Sequence, residues 1–417
     1  MKNLTSMPGL SPELKSVLLD LQFQNQLPFI SGKWYFVNPY TGAVGAGGES
    51  PDEAVKSIAE AYALCRSGYG DGICVMSGGT TATNTTSLLS FPLEWTKHGI
   101  TVIGIASPTG IFGRARICNT VHTTGALTVL SFLRGTASAD TINRTTGSFV
   151  TDGFVAGDII RVETTGNGAD ATGLVVASVS ALTLTLTTTG TLVTETAVNA
   201  GSSVVSSYCA SIINVSGNNN TFSNLLVLNE DTDALALGCL KVTGARNTFI
   251  NCHFIGAALK TASASDRSVE LGDGAQENIF IGGTIGSDTI DRGNNANCEL
   301  YMNGTTSGTA RNKFVNVEFL SSAEGGTAHI AIKSAAATSM GRHMIFENCT
   351  FLNYTSNLGA DQASVFGGTG FNTAKIYFTG YSSMCGYALW DAATGNDCCF
   401  VTMPQGVAAG GKGIVAS

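Results

Sequence analysis

The residues able to do chemistry are few and scattered. Two groups of acids have the makings of a glycosidase pair: Glu230, Asp231 and Asp233 follow the run FSNLLV, and Asp288 and Asp291 follow the run FIGGTI. Glycoside cleavage needs two facing carboxyl groups roughly 5–10 Å apart, one of them held protonated. A protonated acid at neutral pH needs apolar or like-charged neighbours. These acids instead stand in Gly-, Asn-, Thr- and Ser-rich segments typical of wet turns. They read either as catalytic candidates or as solvated turn residues, and their surroundings favour the second. The five histidines, His98, His122, His253, His329 and His343, show no ligand spacing. No Gly-x-Ser-x-Gly elbow, phosphate-binding loop or HExxH motif occurs. The 11 cysteines include no CxxC pair, and Cys398 and Cys399 are adjacent, so they read as reduced, mostly buried thiols. Neither a metal site nor a cofactor is expected.

The composition narrows the function classes further. The net charge is -8, and charged residues make up 12% of the chain against the roughly 25% usual in globular domains. An acidic, charge-poor chain without a basic run has no electrostatic footprint for nucleic acid or anionic lipid. The opening MKNLTSMPGL lacks an apolar signal core, and no apolar run approaches the ~18 residues of a membrane span. A soluble protein folding in cytoplasm is expected.

The elements that would hold any site are set by an internal repeat. Five segments align, FSNLLV at 222, FINCHF at 249, FIGGTI at 280, FVNVEF at 314 and FENCTF at 346, with a weaker sixth, FTGYSS at 378. Their leading Phe residues are 27, 31, 34, 32 and 32 residues apart. A further apolar run (INV, LKV, VEL, LYM, IAI) precedes each of the first five. The third motif position reads Asn224, Asn251, Gly282, Asn316, Asn348 and Gly380. Asn and Gly are the residues that enter the left-handed region most cheaply, so each motif predicts two strands joined by a one-residue bend. The bend shifts the alternation: Phe249 in, Ile250 out, Cys252 in, His253 out, Phe254 in. Stacked rungs then give a Phe ladder, a second apolar ladder and an Asn/Gly ladder, about 4.8 Å per step. An antiparallel sandwich is the competing reading, but it has no reason to restrict one position to Asn or Gly.

With these FxNxxF rungs the chain resembles the pectate-lyase-like right-handed parallel β-helix superfamily, and bacteriophage tailspikes within it. A capped helix running directly into a first strand strengthens the resemblance. Ser50-Pro51-Asp52-Glu53 predicts that helix over 51–66, with Ser50 and Glu53 as a capping box and Val55, Ile58, Tyr62 and Cys65 on one face. Ser11-Pro12 predicts an earlier helix over 12–25, and PFISGKWYFVNPYTGAVGAGG reads as irregular or hairpin structure. GITVIGIASPTGIFG at 99–113 looks like an early rung. Residues 134–205 break the pattern with alternating runs and Gly-rich turns, expected to be a small antiparallel β insert or else irregular rungs.

The expected organisation is an all-β solenoid with short N-terminal helices. Residues 1–50 would form an attachment region, 51–133 the cap and first rungs, 134–205 the insert, 206–395 the main rungs and 396–417 a tail. The fold hosts lyases, hydrolases and inert spikes, so it fixes function weakly. The resemblance implies a structural virion surface protein on tail or capsid, homotrimeric, contacting other virion proteins through residues 1–50. A host surface polysaccharide is the expected ligand. The competing expectation is a tailspike depolymerase using paired carboxylates from Asp231, Asp233, Asp288 and Asp291. Arg246 and Arg311, aligned three positions before the rung Phe, would suit ladder bonding or surface solvation as well as lyase chemistry.

Overall fold

The structure is a computed structural model. It describes residues 30–76, 86–87, 92–105, 115–119, 123–124, 130–163, 171–194, 204–231, 235–256, 266–291, 297–305, 308–323, 329–336, 338–354, 363–368, 375–385, 387–390 and 399–401. The helix expected over 12–25 lies outside them.

Each full rung carries three strands, one in each of three parallel sheets. The Phe249 rung runs from Leu240–Val242 in the second sheet, through Thr248–Ile250 in the first, to His253–Ile255 in the third. The first sheet has ten strands and the other two have eight. The described pairings within them are parallel, with the Phe residues in register as Phe222↔Phe249, Phe249↔Phe280 and Phe280↔Phe314, and one register shift between Gly286 and Asp291 in the third sheet. This is the right-handed parallel β-helix that the repeat predicts.

The bend between the first and third sheets is the Asn/Gly column. Asn224, Asn251, Gly282, Asn316, Asn348 and Gly380 all have φ between 50 and 69°. Their backbone N–H groups stay in the ladder: Asn224 donates to Ile250 O and Asn251 to Ile281 O, at 2.9 and 2.7 Å. Inside, the Phe rings stack face to face from Phe222 to Phe378, with centroids 4.5 to 5.4 Å apart. Cys252 and Cys349 lie buried beside them, at 3% and 0% exposure.

A second Asn ladder holds the corner between the second and first sheets. Asn220, Asn247, Asn278 and Asn312 are fully buried. The backbone N–H of each of the first three donates to the Oδ1 of the next, at 2.9 Å in every step. Their amide nitrogens donate to carbonyls at the corner, Asn278 Nδ2 to Gly244 O at 3.1 Å and Asn312 Nδ2 to Ala275 O at 2.8 Å. Buried amides at a solenoid corner have no water to turn to, so the column satisfies backbone groups that the bend removes from the sheet. The hydrogen-bonded ladder therefore runs mainly here. In the Asn/Gly column, Asn251 Nδ2 reaches Asn224 Oδ1 at a long 3.4 Å.

The N-terminal end differs from expectation in two places. Trp34–Val37 is a strand at the end of the first sheet, paired in parallel with Gly72–Met76, not a hairpin. The expected helix over 51–66 divides. Pro51–Glu53 is a single 3-10 turn capped by Ser50. The α-helix, α1, is Ile58–Leu64, and its capping box is formed by Ser57 and Glu60. Val55 cannot join it because it bridges Val37 and Ala43. Lys97 Nζ donates to Tyr62 O, Ala63 O and Cys65 O, capping the last carbonyls of α1 with a cation. Tyr62 packs on Trp95 and Trp95 on Phe222, so α1 plugs the Phe ladder.

Between Cys118 and Ile213 the described strands leave the solenoid. Strands Leu130–Leu133, Thr141–Arg144, Ile159–Glu163, Ala171–Val179, Thr183–Leu186 and Val204–Ser207 form a separate antiparallel sheet with its own core, including Phe132, Phe149, Leu174 and Leu184. The solenoid continues across it without a break. Leu93–Trp95 pairs with Ile213–Val215, Thr101–Ile105 with Thr221–Ser223, and Ala115–Cys118 with Leu225–Leu228. The segment is thus an insert between two neighbouring rungs.

Candidate functional site

Among the described side chains, Asp231 and Asp288 do not form a facing pair. Asp231 is fully buried, not a wet turn residue. It accepts the Cys209 N–H at 2.7 Å and its own N–H donates to Asn229 Oδ1 at 3.1 Å. It lines a small recess between insert and solenoid, together with Asp158 and Asn119. Asp288 is exposed and lies within the third-sheet strand Thr284–Asp291, not in a turn. Asp291 closes the same strand, paired with Ser322. Asp233 lies outside the described residues. Asp231 and Asp288 are thus two rungs apart, and the recess contains only the first.

A group that sequence reasoning passed over is buried where the third sheet turns into the second. His329 Nε2 is 3.0 Å from Ser321 Oγ, and Nδ1 is 2.5 Å from Asn297 Oδ1. This is the connectivity of nucleophile, base and orienting group. Yet Ser321 also donates to Glu299 Oε1 at 3.2 Å, and Ser321, Glu299 and His329 are at most 1% exposed. The three side chains thus form a buried polar cluster where the third sheet meets the second. The members come from separate segments, so spacing in the sequence held no signal.

The outer face of the second sheet carries a polar row that does reach solvent. Register places Glu94, Asn214, Lys241, Glu270, Tyr301 and Lys333 in one column, one residue per rung. Asn214 Nδ2 donates to Glu94 Oε1 at 2.7 Å, and Lys241 Nζ is 3.4 Å from Glu270 Oε1. Arg267 pairs with the other Glu270 oxygen, and Asn303 Nδ2 donates to Oε1 at 3.1 Å. Burial by itself would raise the Glu270 pKa, but the Arg267 and Lys241 charges outweigh it and hold the carboxyl below its ordinary value. Glu270 is therefore ionised at neutral pH and is not a general acid. The Tyr301 ring lies between two cations, Arg267 at 5.1 Å and Lys333 at 6.0 Å from its centroid. Burial raises the Tyr301 pKa, so its hydroxyl stays neutral and can donate. An aromatic face framed by amide, carboxylate and cationic groups is suited to holding hydroxyl-rich ligands.

The strand order defines a right-handed parallel β-helix with three-sheet rungs. No protein-family model matches the chain, and no curated protein matches it in sequence. Solved structures similar to it include a pectin methylesterase in complex with a hexasaccharide, at 11% identity and TM-score 0.44, covering 87% of this chain and 81% of that one. The pectin methylesterase PemA from Erwinia chrysanthemi gives 10% identity and TM-score 0.38, covering 87% and 71%. The tailspike of Pseudomonas phage phi297 gives 14% identity and TM-score 0.20, covering 80% and 71%. The strand register, not these likenesses, defines the fold.

Proposed function

We propose that the chain is a bacteriophage virion surface spike that holds a host surface glycan along the outer face of its second sheet. The observation that carries this reading is the Tyr301 ring between Arg267 and Lys333, continued rung by rung through Glu270, Lys241 and Asn214. An extended polysaccharide offers hydroxyls at regular intervals, and a solenoid offers donors and acceptors at a regular rung spacing. The spike is a homotrimer, with residues 1–50 directed to other virion proteins. Support for association comes from the outer face of the first sheet, where Ile250, Ile279 and Ile281 are 36–38% exposed in a chain poor in charge.

The experiment is binding of the purified protein to capsular and O-antigen polysaccharides, with light scattering to give the oligomeric state. Tyr301→Ala and Arg267→Ala are expected to weaken binding at least tenfold while circular dichroism stays unchanged. Unaltered binding by both variants would remove the row as the site. Release of oligosaccharides, abolished by changing Asp231, Asp233, Asp288 or Asp291 to Asn, would replace the reading with that of a depolymerase.

A further inference from the structure

The corner between the second and first sheets carries a second left-handed column, one residue before the buried asparagines. Asn219, Arg246, Glu277 and Arg311 have φ of 58, 59, 58 and 56°. Their backbone N–H groups donate to the next rung, Arg246 to Gln276 O at 2.8 Å and Glu277 to Ala310 O at 3.0 Å. In the Asn/Gly column every rung uses a residue that takes this conformation cheaply. Here only Asn219 does. An arginine or glutamate held there is strained, because its Cβ crowds the following carbonyl oxygen.

The side chains return little of that cost to the fold. Arg246 Nε donates to Glu277 Oε2 at 2.7 Å, and an Arg311 amino nitrogen lies 2.7 Å from Glu277 Oε1. The Arg246 hydrogen bond holds the Glu277 carboxyl below its ordinary value, so it is ionised at neutral pH. All three side chains reach solvent, Arg246 being 62% exposed, and ion pairs exposed in this way contribute little. Arg246 uses only its Nε–H, and its terminal amino groups have no acceptor among the described residues. They form a fork open to solvent, the shape that takes a carboxylate in two parallel hydrogen bonds. Arg342, also exposed, stands one rung on beside His343, whose carbonyl accepts the Arg311 N–H. Three arginines against one glutamate give this ridge a surplus of positive charge, on a chain whose net charge is -8. Each ridge residue follows its own rung's residue in the polar row: Arg246 follows Lys241, Glu277 follows Glu270, and Arg311 follows Tyr301.

We propose that this ridge reads the acid groups of an anionic glycan, its arginines pairing with carboxylates while the second-sheet row holds the sugar rings. This assignment rests on the row being a glycan surface, and it narrows the ligand to acidic polysaccharides. Arg246 and Arg311 stand two rungs apart, about 9.6 Å, so one extended chain meets both. Asn219 shows that the column folds without a charged residue. The arginines are therefore kept at a cost in stability, as binding residues are.

The test is binding to a panel of acidic capsular polysaccharides, each in its native form and with its carboxyl groups reduced to alcohols. Native forms should bind at least tenfold more tightly than reduced forms, with an advantage that shrinks as salt rises. The double variant Arg246→Asn with Arg311→Asn should lose that advantage. Its urea midpoint should stay level or rise, because asparagine suits the left-handed conformation. Tyr301→Ala should instead weaken the binding of both forms. Equal binding of native and reduced forms would overturn the assignment and leave the row standing as a glycan site. Undiminished preference in the double variant would overturn it too, and a lower urea midpoint would then mark the arginines as staples between rungs. No binding of either form by the unaltered protein would remove row and ridge together.

Discussion

Asn278→Ala should loosen the solenoid at its buried corner. Asn278 makes four side-chain bonds: Oδ1 accepts from Asn247 N at 2.9 Å and Asn247 Nδ2 at 3.2 Å, and Nδ2 donates to Gly244 O at 3.1 Å and Asn312 Oδ1 at 3.0 Å. Each bond contributes about 1 kcal/mol net, and a buried donor left without an acceptor costs roughly 1–3 kcal/mol. The truncation orphans the Asn247 N–H in a site without exposure. A loss of about 3–6 kcal/mol follows from these magnitudes. The paired control is Asn251→Gly in the outer column, where φ is 50° and the side-chain bond to Asn224 is long at 3.4 Å. Glycine takes that conformation freely, so the control should change stability by less than about 1 kcal/mol. A solenoid can open rung by rung, so urea unfolding is best read beside amide hydrogen exchange. The Asn247 amide should exchange markedly faster in Asn278→Ala and unchanged in Asn251→Gly. Equal stability of the two variants, or full protection of Asn247 in the first, would refute the ladder argument.

Three other outcomes are expected. Asp140 is fully buried and accepts four backbone N–H bonds, from Gly135, Gly190, Thr191 and Leu192, at 2.7–2.9 Å. Burial would raise its pKa but the four donors outweigh it and lower it, so the insert should hold its stability above about pH 4 and lose it as pH falls through the depressed value; Asp140→Asn should remove that acid dependence in a thermal melt of the insert. Cys349, whose thiol burial pushes up to about 12, and Cys252 should resist a thiol reagent in the native protein while exposed Cys385 reacts, as mass spectrometry of labelled peptides would show. Phe280→Ala opens the stack between Phe249 and Phe314 and should cost about 3–5 kcal/mol in urea unfolding, against under about 1.5 kcal/mol for Phe280→Leu if the cavity causes the loss.

The sequence by itself determined the repeat, and with it the solenoid. One position restricted to Asn and Gly, with Phe two residues before it, forced a bend and an alternation that could bury only one set of side chains; Phe249, Cys252 and Phe254 are inside as that alternation requires. It did not single out the hydrogen-bonded ladder, although an Asn precedes the rung Phe by two positions at 220, 247, 278 and 312. Tertiary structure decided everything that depends on two rungs meeting. Helix α1 begins at Ile58 because Val55 is taken by Val37 and Ala43, a contact remote in sequence. Asp231 is buried beside Asp158 and Cys209, neighbours that a composition rich in polar residues cannot register. The row of Lys241, Glu270, Tyr301 and Lys333, and the cluster of Ser268, Glu299, Ser321 and His329, bring together residues from successive strands, most of them 22 to 32 positions apart in the chain. Local pattern fixes which way a strand faces, because side-chain alternation is a property of the backbone. Which residues then become neighbours depends on the length of each connecting loop, and that is settled only when the rungs stack.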